Sequence, residues 1–353
     1  MIFHYISFLV VVFLIFIRYH STLPNFKNGD EVRITTKVLT EPIQYSTAQY
    51  LKLSDLKTYL PKYPVVTYGD TVVVVGTVDG DKLSNPIIEK LETQNRGFLL
   101  DFRFKLISFY KSSLPEPLSS LVAGTVIGSK NMPESFWQKL KDTGTAHVVV
   151  ASGTNVTMTA SFLIGLLTIF FVRRTAIWLT LVGIFGYVVI SGFDAPIVRA
   201  GIMGSILLLG QGGGRLVNTW RILIYSALIM LLFKPSWLTD LGFILSFVAT
   251  MSLMLFQKTI DLKLRSIPAF FREGLSTSLA AQIGVAPIIF VTFGQFNILS
   301  PIINALILWT IPYIMVGGAI AGVLGLVIPL VGRLILFVIF PLLWYFEKVV
   351  SMF

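Results

Sequence analysis

The sequence predicts a multi-pass α-helical membrane protein with a small extracellular β-barrel module near its N-terminus. Three observations lead there. Hydrophobic residues make up 54% of the 353-residue chain and charged residues 13%, a balance too apolar for a soluble protein of this length. From Val148 onward, apolar runs follow one another almost to Phe353. Between Lys27 and Gln94, by contrast, short alternating or β-branched stretches succeed each other, the pattern of a small all-β unit. The chain is accordingly divided into an N-terminal transmembrane anchor (1–20), a β module (27–95), amphipathic interfacial helices (98–141) and a polytopic domain (144–353).

Ile2–Ile17 is apolar apart from His4 and Ser7 and lacks the basic leader and small-residue cleavage site of a signal peptide, so an uncleaved anchor is expected. Gly29–Leu39 alternates at Val32, Ile34 and Val38, and Thr47–Leu53 and Leu56–Leu60 continue the pattern. Tyr68–Gly80 is the strongest strand, and Pro86–Leu91 is a fifth. Five short strands in so few residues suit a small closed barrel of OB type. Such barrels hold single nucleic-acid strands on aromatic and basic side chains, and Tyr45, Tyr50, Tyr59, Tyr63 and Tyr68 are available beside several lysines. The near-balanced charge of the module favours the plainer reading, half-buried strand tyrosines. Phe98–Lys111 mixes Phe, Leu and Ile with Asp101, Arg103 and Lys105, too charged to span and too apolar to be solvated all round, which predicts a helix at the membrane interface ended by Pro115 and Pro117. Leu118–Ile127 is a short apolar piece, and Met132–Lys141 a polar helix with Pro133 in its first turn.

The apolar runs place spans near 146–171, 175–191, 196–211, 219–233, 237–256, 274–293, 300–328 and 331–350. The run at 300–328 is long enough for Pro312, Gly317 and Gly318 to kink or split it. Arg173, Arg174, Arg215, Arg221, Lys258, Lys263, Arg265, Arg272 and Arg333 fall on one side of this map; only Lys234 and Lys348 fall plainly on the other. The positive-inside rule then sets the first group in the cytoplasm and the β module outside the plasma membrane.

Candidate functional residues begin at Thr143–Thr157, TGTAHVVVASGTNVT, where the chain turns from mixed to apolar. His147, Ser152 and Asn155 are costly in hydrocarbon unless they face protein or water, and Gly153 invites a break in the run. This predicts either a discontinuous helix lining a path through the bilayer or an ordinary membrane helix whose polar groups satisfy each other. Asp194 and Arg199 suggest an ion pair or an arginine turned to a polar cavity, while Asp240, Gln282 and Asn304 put further polar groups into later spans among small residues. Polar groups in several spans favour a shared hydrophilic interior. Catalysis finds little support: His147 and Ser152, five residues apart on a helix, stand about 500° round from each other and leave the same face. There is no cysteine, and the three histidines are dispersed, so no metal site and no cofactor are expected. Gly210–Arg215, GQGGGR, lacks the Lys-Ser/Thr of a phosphate loop, so no nucleotide-driven motor is encoded.

Together these stretches resemble the ComEC family of DNA-uptake channels. TGTAHVVVASGTNVT is similar to that family's Thr-Gly, His, Ser-Gly motif, although Thr154-Asn155 stand where the family continues Leu-His. Ser191–Gly204 is similar to its Pro/Arg-Ala motif, and Asn218–Thr250 to its Asp-x-Gly-Phe-x-Leu-Ser-Phe-x-Ala-Thr block, with Lys234-Pro235 for Asn-Pro. Ala280–Pro312 supplies the Gln, Pro and Asn positions. The resemblance implies a membrane channel for single-stranded DNA during natural transformation, with a DNA receptor and a cytoplasmic helicase-like motor as partners and a homo-oligomer as one assembly. It also implies a metallo-β-lactamase-like nuclease domain; no His-rich motif for it precedes Phe353, so a separate nuclease is expected. The residues alone equally allow a small-solute permease or exporter, or a non-transporting membrane scaffold.

Overall fold

The computed structural model describes residues 2–22, 26–54, 56–92, 97–150, 152–214, 217–294 and 297–353. In chain order they form helix α1 (Ile2–Thr22) and strands β1 (Glu31–Lys37), β2 (Ile43–Gln44), β3 (Ala48–Leu53), β4 (Leu56–Pro61), β5 (Thr71–Asp79) and β6 (Lys82–Glu92). Helices follow: α2 (Phe98–Ser113), α3 (Leu118–Ile127), α4 (Glu134–Asp142), α5 (Ala146–Val149), α6 (Gly153–Phe170), α7 (Arg173–Ser191), α8 (Ala195–Gly212) and α9 (Thr219–Phe233). A short 3-10 turn (Pro235–Thr239) leads into α10 (Leu241–Lys263), α11 (Ala269–Phe293), α12 (Ser300–Ile307), α13 (Ile311–Val327) and α14 (Pro329–Met352). Two compact units divide the chain, one of Met1–Arg96 and Val156–Ile244, the other of Gly97–Asn155 and Leu245–Phe353.

Among the described residues, 7 helical stretches are long and apolar enough to cross a membrane. Helix α9, expected as a further span, has the expected bounds but only 15 residues. At 1.5 Å per residue that is about 22 Å, short of a hydrocarbon core of about 30 Å. The long run at 300–328 is split by a 3-10 turn at Leu308–Thr310, leaving Pro312 in the first turn of α13, where its missing N–H is no loss. Gly317 and Gly318 lie inside α13 without breaking it.

In the first unit the β module is a six-stranded mixed sheet of order β1-β5-β6-β4-β3-β2, all neighbours antiparallel except β4 with β6. The closed barrel expected from five strands is not formed. Strand β2, absent from the sequence reading, is two residues long and pairs only with β3, so it offers too little backbone to meet β1 at the other edge. Strand β6 is longer than expected, and the ladder with β5 slips on either side of Val74–Val75. At that slip a Cβ on Gly76 would stand 2.9 Å from the Ser84 carbonyl oxygen, so glycine lets the two strands close up. One face buries Ile34, Leu51, Leu60, Val72, Val74 and Leu83; the alternate residues of β3 and β4 point the other way.

In the second unit α3 is the innermost element, with all ten residues buried. Glycines bring neighbours close: Gly318 of α13 lies against Val122 and Val126, and Gly124 of α3 against Val149 of α5. Tyr110 of α2 donates from its hydroxyl to the Gly318 carbonyl at 2.9 Å.

Candidate functional site

In the second unit, the stretch singled out from sequence begins as the end of α4. Thr143 closes the helix and Gly144 follows with φ +69°, the left-handed conformation that a chain reversal needs and that glycine adopts without strain. The Thr145 N–H reaches back to the Leu140 carbonyl at 2.8 Å and the Gly144 N–H to that of Lys141 at 3.0 Å, a Schellman end. Thr143 Oγ1 donates to the Lys139 carbonyl at 2.7 Å and lies 2.8 Å from Thr145 Oγ1, so two buried hydroxyls are satisfied locally. Helix α5 lasts one turn, Val150 is extended, and α6 starts at Gly153: the helix is discontinuous where the sequence suggested a break. His147 lies on α5, exposed in the isolated chain, with its ring in hydrogen-bonding reach of the Gly144 carbonyl.

Asn155 is wholly buried at the start of α6. Its Nδ2 donates to the Thr125 carbonyl at 2.8 Å, and its Oδ1 accepts from Ser152 Oγ at 3.1 Å. Thr125 is in the last turn of α3, where carbonyls have no helical partner. Arg103 of α2, also buried, donates from Nη1 to the Ile127 carbonyl at 2.5 Å in that same last turn. The C-terminal end of the innermost helix is thus closed by an amide and by a cation, the charge that this end of a helix dipole favours.

A second polar group starts at Gly144. Ser300, the first residue of α12, directs Oγ toward the Gly144 carbonyl at 3.5 Å. Asn304, one turn later and 1% exposed, donates from Nδ2 to Ser278 Oγ of α11 at 3.0 Å and lies 3.3 Å from Ser300 Oγ. Its Oδ1 accepts no hydrogen bond, an orphaned buried acceptor. Gln282 is one turn beyond Ser278 on the same face of α11 and half-buried, with no hydrogen bond among the described residues. Gly144, Ser300, Asn304 and Ser278 make a continuous polar seam through apolar helices.

In the first unit the β3–β4 hairpin pairs Tyr50 with Tyr59 and Lys52 with Lys57. All four side chains share the face opposite the core, and the two tyrosine rings are 5.1 Å apart. Burial, then the neighbouring Tyr59, pushes the Tyr50 phenol above its ordinary value. Lys57 Nζ lies 2.6 Å from Asp81 Oδ2; this hydrogen bond raises the lysine and lowers the carboxyl. Lys52 Nζ reaches Asp240 Oδ2 at 3.9 Å, while Asp240 Oδ1 accepts the Phe243 N–H at 3.1 Å and so caps α10. Tyr68, buried, donates to the Val189 carbonyl of α7 at 2.9 Å. The sheet is therefore tied to the helices of its own unit at two points. Asp194 stands at the N-terminus of α8, where a carboxylate is favoured, and Arg199 is half-buried farther along that helix.

A family model described as Competence protein matches residues 126–353. The chain belongs to the Competence protein family. It is similar to ComE operon protein 3 of Bacillus subtilis (strain 168), 29% identical over 231 residues, which are 64% of this chain and 29% of that protein. The chain thus matches less than a third of that relative's length. No solved structure matches it. The competence region contains the Gly144 turn, the broken helix and the Asn304 seam, and family membership together with the apolar helices makes this a multi-pass membrane protein.

Of the nine residues predicted from sequence, Ser152, Gly153 and Asn155 meet at the helix break, and Asn304 joins the seam that reaches Gly144. Asp194, Arg199 and Asp240 belong to the other unit. Two cavities of the second unit, of about 290 and 320 Å³, are lined by none of the nine. Among the described residues no group of three His, Cys, Asp or Glu side chains could hold a metal ion. Arg103, Ser278 and Ser300 escaped the sequence reading. Serine among small helix residues carries no distinguishing signal, and Arg103 stood among Asp101, Lys105 and Lys111, so nothing in the sequence marked it as the one charge that turns inward.

Proposed function

We propose that this protein is a membrane channel that passes single-stranded DNA to the cytoplasm during natural transformation, with its β module at the external mouth. The observation that carries the reading is the polar seam inside the competence region, where Asn304 keeps a buried acceptor without a partner amid apolar helices. A strand that moves must not be held tightly, so a conduit for a polyanion needs hydrogen-bonding groups that meet it weakly between any cationic sites. Amide and hydroxyl groups from Ser278, Ser300, Asn304 and Gln282 meet that need. At the mouth, the paired Tyr50 and Tyr59 offer a stacking platform with Lys52 and Lys57 beside it. A DNA receptor, a separate nuclease and a helicase-like motor supply capture, strand removal and driving force.

The test is DNase-resistant uptake of labelled DNA, with transformation frequency, in a deletion strain complemented by the wild-type gene or by Asn304→Leu. Losing one buried amide donor that the seam uses should lower uptake about ten-fold at equal protein level. Wild-type uptake by Asn304→Leu would remove the seam from the route. A deletion strain that transforms normally would remove the whole reading.

A further inference from the structure

We infer that the second unit carries a site for one anionic phospholipid, between the first turns of α14 and the segment that joins α2 to α3. The site is a cavity of about 320 Å³ lined by Ser113, Leu114, Pro115, Arg333, Leu336, Phe337 and Phe340. Its chemistry is two-sided. Leu114, Leu336, Phe337 and Phe340 form an apolar wall, and Arg333 to Phe340 covers about 10 Å of helix axis, along which the upper part of an acyl chain can lie. The polar part is one guanidinium and one hydroxyl.

Three observations select the occupant. Arg333 lies in the first turns of α14 and has no carboxylate partner among the described residues. Unlike the Arg272–Asp261 pair at 3.0 Å, it is a cation left for an outside anion. Ser113 lines the cavity and its Oγ is buried without a hydrogen bond, a donor that a change of rotamer would turn toward a ligand oxygen in the cavity. Finally, no acidic side chain lines the cavity, so the amine of a zwitterionic headgroup would find no acceptor of opposite charge. A phosphodiester satisfies both polar groups at once, because guanidinium binds phosphate oxygens in a planar fork and the serine hydroxyl donates to one of them. The apolar wall excludes a free phosphate as the natural occupant, since it would bury no area there. The cytoplasmic side given to Arg333 by the loop charges is also where basic pockets meet anionic lipid.

The test is native mass spectrometry of the full chain, released from nanodiscs of equal phosphatidylglycerol and phosphatidylethanolamine. The wild type should retain one phosphatidylglycerol in preference to phosphatidylethanolamine. Arg333→Ala, an exposed position that does not threaten folding, should lose that retention about ten-fold or more, and Arg333→Lys should keep part of it, because lysine preserves the charge but not the fork. Ser113→Ala should weaken retention by a smaller factor. Equal retention of both lipids by the wild type, or unchanged phosphatidylglycerol on Arg333→Ala, overturns the inference. Displacement of the lipid by millimolar inorganic phosphate also overturns it, in favour of a free-anion site.

Discussion

Gly144 couples two constraints at one atom. Its φ of +69° is strained for any L side chain, and a Cβ there would stand 2.5 Å from Ser300 Oγ. Gly144→Ala should therefore cost about 1–3 kcal/mol, read as a lower unfolding midpoint of the detergent-solubilised protein. An unchanged midpoint would mean that α12 yields to the methyl. Asn155 makes a sharper case, because its Nδ2 is the donor to the Thr125 carbonyl. Asn155→Leu leaves that carbonyl without a partner at about 1–3 kcal/mol. Asn155→Asp should be worse, since it replaces the donor by a buried anion facing a carbonyl oxygen. Asp no worse than Leu in the same unfolding assay would deny Asn155 its capping role. The sequence exposed Asn155 as a misplaced polar residue, yet its partner stayed hidden. A backbone carbonyl has no residue signature, and only the folded end of α3 makes this one needy.

At the scale of elements, all the expected spans but α9 were legible because each is a long apolar run with clear breaks, and composition alone reads such runs. The broken helix at Val150 was likewise foreshadowed by Ser152-Gly153. What composition does not carry is which short helix goes inside: Leu118–Ile127 has ten residues and is wholly buried, while the longer apolar helices α13 and α14 of the same unit pack against it. That outcome depends on capping by Arg103. Arg103→Met keeps the volume and removes the donor to the Ile127 carbonyl, so it should loosen the C-terminal end of α3 before the rest of the unit. Faster hydrogen exchange at Gly128 and Ser129, whose amides bond back to Gly124 and Ala123, is the expected result. Uniform protection would argue that packing alone holds the end. In the sheet, Lys57 and Asp81 pin the start of β4 to the β5–β6 turn. The depressed carboxyl contributes stability above its unfolded pKa, and this is lost as pH falls through the lower folded value. The raised lysine contributes below its unfolded pKa and loses that as pH rises through the higher folded value. Asp81→Asn should flatten both flanks of the sheet's pH–stability curve while leaving its plateau little changed, because the pair is exposed.

The whole molecule combines a six-stranded sheet with long apolar helices, and the sheet shows what one sequence leaves open. Alternation located most of the strands, but closure depends on whether the two edge strands meet, and a two-residue β2 cannot be read from periodicity. The same alternation does decide Tyr50 and Tyr59, but not Tyr68, which lies in the turn before β5. Tyr68 is core and bonded to Val189, whereas Tyr50 and Tyr59 are paired on the face bearing Lys52 and Lys57. If this face meets single-stranded DNA, as proposed, the open edge beside it gives the strand room to lie across it, which a closed barrel would restrict. Stacking on aromatics is worth about 1–3 kcal/mol per base, so Tyr50→Ala with Tyr59→Ala should weaken oligo-dT binding by the purified protein ten-fold or more, to order of magnitude. Phosphate contacts act differently, through released counterions. Lys52→Ala with Lys57→Ala should therefore reduce the dependence of affinity on salt by roughly one to two units of log–log slope, while the tyrosine variant leaves that slope as it is. Lys52 first has to leave Asp240, which keeps its capping bond to Phe243. For that reason Asp240→Asn should strengthen DNA binding and weaken the start of α10 only slightly, since asparagine caps a helix nearly as well. If the tyrosine and lysine variants change affinity and slope alike, the face does not divide its work between stacking and charge, and the strand binds elsewhere.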